Sequence, residues 1–106
     1  MAAKYELLKS SDGQHYFNLK AANGKVILTS QRYKRRASAQ KGIGSVRTNA
    51  DTDACFDRRV SKAGEHYFVL KAANHEILGR SEMYSSKSAM EKGIRSVKSN
   101  GPGARG

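Results

Sequence analysis

Three short strand-like stretches, alternating or wholly apolar, lie in the first half of the chain, and their counterparts return 51 positions later. KYELLKS, from Lys4, reads as a first strand. The turn SDGQ, with Gly13 free to take positive φ, leads into QHYFNLKA as a second. AANG and its counterpart AANH are turns built on Asn23 and Asn74, residues that tolerate left-handed geometry. Short apolar strands follow at VILT (26–29) and ILGR (77–80). Then the period changes: Ala39, Gly42, Ile43 and Val46 are spaced i, i+3, i+4, i+7, the stripe of a half-buried helix. Met90, Gly93, Ile94 and Val97 repeat it. Ser85 to Ser88 supplies N-cap candidates, and Ser88 with Glu91 has capping-box spacing. Asn49 and the pair Asn100-Gly101 stand where C-caps belong.

Aligned without a gap, His15–Ala50 and His66–Gly101 agree at 16 of 36 positions. The chain is therefore a duplication, with repeat 1 at 4–50, repeat 2 at 55–101, and a linker, 51–54, too short to separate them. The predicted fold is α+β: two tandem β-β-β-α repeats with pseudo-twofold symmetry sharing one antiparallel sheet, both helices on one face. Phe17, Leu19 and Ala21 face those helices, as do Phe68, Leu70 and Ala72. Tyr16, Asn18 and Lys20 face away, as do Tyr67, Val69 and Lys71. A glycine within each helical stripe costs roughly 1 kcal/mol of propensity. Its presence in both copies implies a helix lying close against the sheet.

The paired motifs HYFNLKAANGKVILTSQRY with KGIGSVRTNA, and HYFVLKAANHEILGRSEMY with KGIRSVKSN, resemble the two repeats of the YegP-like family of small bacterial proteins. The resemblance covers nearly the whole chain. It implies the tandem β-β-β-α arrangement and a likeness to a covalently joined dimer, since one-repeat relatives are expected to build the same unit as homodimers. It implies no activity and no site residues, because the family is uncharacterised.

Charge narrows the classes of function. Twenty Lys and Arg against 9 Asp and Glu give +11, split nearly evenly as +6 up to Asp53 and +5 after it. A small domain basic throughout points to nucleic acid, an anionic surface or an acidic protein, and equally serves solubility. Cys55, the one cysteine, excludes an internal disulfide and a multi-cysteine zinc site. The chain has no phosphate loop, dinucleotide fingerprint or nucleophile elbow, so the expectation is a non-enzymatic protein without a cofactor. No apolar run reaches membrane-spanning length and the first residues lack a signal-peptide pattern, which makes cytoplasmic residence the default. GPGARG at 101–106 offers nothing obvious to bury, and 102–106 reads as a flexible tail. The expected state is a monomer with internal pseudo-dimer symmetry.

The candidate site is the outward sheet face. Tyr16 with Lys20, and Tyr67 with Lys71, interleave rings and cations as a single-strand nucleic-acid platform does. The plainer reading is that Tyr and Lys are ordinary occupants of a half-exposed strand. RYKRR (32–36) brings Arg35 and Arg36 to the first helix's start, where a phosphate is favoured, although cations there oppose the helix dipole. Tyr33 and Tyr84 read as rings fixing the strand-to-helix corner, and Lys41 and Lys92 as solvent-facing. His15 and His66 lack a carboxylate partner at useful spacing, so a structural role is preferred to a metal or acid-base pair. The alternative function is a protein-interaction module using a sheet edge or the pseudo-twofold surface.

Overall fold

Each repeat folds as the alternation dictates. The computed structural model describes residues 2–106. In the first repeat β1 (Lys4–Lys9), β2 (His15–Lys20) and β3 (Val26–Ser30) precede α1 (Arg36–Asn49). A single 3-10 turn, Asp53–Cys55, leads to β4 (Phe56–Val60), β5 (His66–Lys71), β6 (Ile77–Arg80) and α2 (Lys87–Asn100). The six strands form one sheet in the order β1-β2-β3-β6-β5-β4, antiparallel throughout. The repeats meet at its centre, where Thr29 pairs with Arg80 and Ser30 with Gly79. This is the α+β arrangement expected from the sequence.

Beneath the helices the two halves share one core. Phe17, Leu19, Phe68 and Leu70 are fully buried, with Tyr5 and Phe56 packed edge-on against Phe17 and Phe68 at 5.8 and 5.7 Å. Each helix buries the stripe read from the sequence. α1 reaches from β1 and β2 across to β5 and β6, while α2 packs on β5 and β3. The contiguous VIL run has a local cause. Leu19 pairs with Leu28 but Lys20 with Val26, so Ile27 is an extra residue in a bulge that turns it inward. Leu78 does the same opposite Leu70 and Lys71.

The helical glycines answer to a tyrosine as well as to the sheet. A Cβ on Gly42 would lie 2.5 Å from Tyr33 Oη and 3.0 Å from the Phe17 ring. One on Gly93 would lie 2.8 Å from Tyr84 Cζ and 3.2 Å from the Phe68 ring. Tyr33 and Tyr84 are fixed in turn by backbone, exchanging paired hydrogen bonds with His15 and His66. Those histidines thereby close the strand-to-helix corner through their main chains.

A serine in each repeat completes the ladder. The Phe17 N–H donates to Ser30 Oγ at 2.9 Å and the Phe68 N–H to Ser81 Oγ at 3.0 Å. Both hydroxyls then donate to the next residue's carbonyl at 2.8 Å. Ser81→Ala leaves a buried N–H without its acceptor, with an expected loss of about 1–3 kcal/mol in urea unfolding. A loss under about 0.5 kcal/mol would show that another acceptor replaces the hydroxyl.

Several local expectations are corrected. The left-handed residue in the AAN turns follows the asparagine: Gly24 has φ 84 and His75 φ 70. Asn23 and Asn74 instead accept from the N–H groups of Lys25 and Glu76 at 2.9 and 3.0 Å, closing Asx turns. The cap of α2 is Ser86, accepting from the Ala89 N–H, so Ser88 and Glu91 make no capping box; Glu91 is held by Arg58 at 2.6 Å. Both helices end in right-handed caps, Ala50 and Gly101. Gly101 is there for closeness, because a Cβ would lie 2.7 Å from the Ala50 Cβ. The segment 102–106, read as a flexible tail, turns at 102–103 and is bound to β1 through Arg105. Ala104 is buried, and Arg105 takes the Tyr5 N–H at 2.6 Å and donates to Ala3 O at 3.0 Å. The unpaired edge of β1 supplies the backbone partners, and the Arg47 guanidinium clamps the segment through the Ala104 and Gly106 carbonyls.

Candidate functional site

Because both helices cover one face, the other face of the sheet is open, and residues of alternate parity project onto it. Tyr16, Lys20, Tyr67 and Lys71 all lie there, half-buried. The structure does not bring the two pairs together. β2 and β5 are separated by β3 and β6, three spacings or roughly 14 Å.

Each lysine has a cross-strand carboxylate: Lys20 lies 3.2 Å from Glu6, and Lys71 lies 3.4 Å from Asp57. Asp57 also takes Arg59 at 2.9 Å, and that hydrogen bond, reinforced by Lys71, holds its carboxyl below the usual range. Glu6 and Asp57 occupy equivalent positions, so the repeated Lys20 and Lys71 have a structural cause in matched ion pairs. Tyr16 lies under the Arg32 guanidinium at 4.6 Å, a cation–π contact, and Tyr67 stands opposite Arg59 in the register.

Between the two pairs the face is asymmetric. Asn18 bonds Thr29 at 2.8 Å in one half. Its counterpart Val69, between Asp57 and Arg80 in the register, keeps only 3% of its surface exposed. On either side of the central Thr29–Arg80 pair lies a groove. One, of about 550 Å³, runs between β3 and Arg80–Glu82, its mouth spanned by the Lys25–Glu82 ion pair at 3.5 Å. The other, of about 270 Å³, runs between Ser30–Arg32 and β6. Arg80 lines both, is exposed, and makes no ion pair among the described residues.

Identity between the repeats does not point to Arg80 or Arg32. Their signal is divergence: Arg80 stands where repeat 1 has Thr29, and Arg32 where repeat 2 has Met83. Arg35 and Arg36 do not join the face. They are exposed at the start of α1, in the helix layer, and Arg35 is an N-cap without a side-chain cap bond. Tyr33 and Tyr84 are corner rings whose hydroxyl pKa values burial pushes up. The Cys55 thiol sits 3.7 Å from Asn49 Oδ1. No group of three or more His, Cys, Asp or Glu is placed to hold a metal ion among the described residues, and no helix there is long and apolar enough to cross a membrane.

Two β-β-β-α units fused around one sheet, with an open face opposite both helices, define a tandem-repeat α+β protein built as a covalent pseudo-dimer. The chain belongs to the DUF1508 family (domain of unknown function), whose model matches twice, at residues 10–57 and 61–105. It is 50% identical over 101 residues to the UPF0339 protein YegP of Escherichia coli K12, covering 95% of this chain and 92% of that one. A UPF0339 protein of Bordetella pertussis is 53% identical over 100 residues, covering 94% and 90%. The solution structure of yegP from E. coli, described as a protein of unknown function, superposes with TM-score 0.93 at 48% identity, over 99% of this chain and 90% of that one. That of the UPF0339 protein SO3888 from Shewanella oneidensis gives 0.91 at 49% identity, with the same coverage.

Proposed function

We propose that the chain is a non-enzymatic binding module whose open sheet face takes an anionic polymer, with single-stranded nucleic acid as the ligand. The observation that carries this reading is the combination of Tyr16 beneath Arg32, Tyr67 beside Arg59, and Arg80 unpaired between them, on a face no helix covers. Rings of this kind stack on bases while guanidinium groups meet phosphates. The charge of +11 supports the same reading through counterion release. Lys20, Lys71 and Arg59 already hold carboxylates, so Arg32 and Arg80 are the main contacts and the other three auxiliary. An acidic protein is the runner-up ligand. The uncovered outer edge of β4, where Val60 is 60% exposed, favours strand addition by such a partner.

Fluorescence anisotropy with a labelled single strand of roughly twelve nucleotides is the test. Affinity is expected to fall with salt at a log–log slope of about −3 to −4, for four to six phosphates on a single strand. Tyr16→Ala should weaken binding about 5- to 100-fold, the range for one lost base stack. An absence of binding at about 50 mM salt removes the nucleic-acid reading.

A further inference from the structure

The register places three cations side by side at one corner of the open face. Lys4 pairs directly with Lys20 across β1 and β2, and Arg105 bridges Lys4 from the other side. Side chains of directly paired residues project from the same side of a sheet, so all three share the open face, within roughly 10 Å. Like charges directly opposite one another are unfavourable, and sheets ordinarily avoid them. One carboxylate, Glu6, reaches the group and pairs with Lys20. Lys4 and Arg105 have no ion-pair partner among the described residues.

The fold does not require this row. In the alignment of the repeats Cys55 falls opposite Lys4 and the linker residue Ala54 opposite Arg105, so the second repeat carries no such row. The three cations also border a concavity of about 270 Å³ floored by small residues, Ala2, Ala21, Ala22 and Gly24. Its third wall exists only because the C-terminal segment is clamped to β1 by Arg47 and the Tyr5 and Ala3 main chains.

We propose that Arg105, Lys4 and Lys20 form a binding site for a phosphoryl oxyanion at this corner. An oxyanion with several acceptor oxygens turns the repulsion into three charge-assisted hydrogen bonds. As the anchor of a polymer backbone the site rests on the reading given above; as a site for a free phosphoryl group it does not.

The probes are inorganic pyrophosphate, followed by amide chemical shifts, and a labelled oligothymidylate, followed by anisotropy. The wild type is compared with Lys4→Gln/Arg105→Gln, and Lys41→Gln on the helix side is the control. The substitutions leave the backbone bonds of the segment intact, which an unchanged Tyr5 amide shift verifies. Pyrophosphate is expected to shift the amides around 4, 20 and 105 saturably in the wild type and not in the double variant. The oligothymidylate should lose about tenfold in affinity at low salt, with its slope shallower by about 1.4 for two lost phosphate contacts on a single strand. Oligonucleotide binding that is equal in wild type and double variant, with no pyrophosphate shift at 4, 20 and 105, overturns the site and leaves the face reading standing. Pyrophosphate binding at this corner without oligonucleotide binding supports a free-phosphate site and removes the polymer. Binding of neither probe overturns both.

Discussion

Truncating Phe68 to alanine is expected to lower stability by about 3–5 kcal/mol. The ring has no exposed surface, faces both helices from the middle of β5, and stands edge-on to Phe56 at 5.7 Å. Its far edge is the floor on which Gly93 rests, so collapse around the cavity would have to move α2. The loss combines apolar transfer, an unfilled cavity and an aromatic pair of about 0.5–1.5 kcal/mol. Against a total of about 5–15 kcal/mol for a domain of ordinary stability, the variant retains a small margin. Urea unfolding followed by circular dichroism measures it. Because α1 also rests on β5 and β6, the variant should lose both helices in one transition. Two separated transitions would show that the repeats fold independently and would refute the shared core.

The strands, the helical stripes and the inward set Phe17, Leu19, Phe68 and Leu70 were legible because burial on one side imposes a period that survives in the sequence. Contacts that depend on register were not. Glu6 and Asp57 could be seen to match in sequence, but only the β1–β2 and β4–β5 pairings bring them beside Lys20 and Lys71. Those ion pairs explain why an outward position repeats, which inward packing alone does not. Ser30 and Ser81 were visible as identities, yet their role depends on a neighbouring strand N–H that they satisfy. The C-terminal segment is placed by something other than its own composition. Composition describes what a segment can bury, and GPGARG can bury little, whereas its place is set by the unpaired edge of β1 and by Arg47 from α1. Hence the corner formed by Arg105, Lys4 and Lys20 had no sequence signature. Arg80 and Arg32 are marked in the sequence by divergence between the repeats and not by identity, standing opposite Thr29 and Met83 in the alignment.

Gly79→Ala is expected to cost about 3 kcal/mol, at the upper end for overpacking, and to lower the melting temperature by more than about 10 °C. Gly79 pairs with Ser30 at the joint between the repeats. A Cβ there would lie 2.7 Å from Thr29 O and 3.1 Å from Leu28 Cγ. The nearer atom is backbone, held in the two-residue pairing that joins β3 to β6, so relief requires the halves of the sheet to part. The equivalent residue of repeat 1 is Leu28, 1% exposed, whose side chain fills the space above the glycine. Two leucines would collide across the axis and two glycines would leave a cavity, so the duplicated chain uses one of each, a solution closed to a symmetric homodimer of one repeat. A double-mutant cycle separates the two contacts. Leu28→Ala alone should cost about 2–5 kcal/mol as a cavity. If Thr29 O is the dominant obstacle, adding Gly79→Ala to that background still costs most of its 3 kcal/mol, with a coupling below about 1 kcal/mol. A double variant no less stable than Leu28→Ala would assign the clash to the leucine side chain alone, and an unchanged melting temperature for Gly79→Ala would show that β3 and β6 shift apart freely.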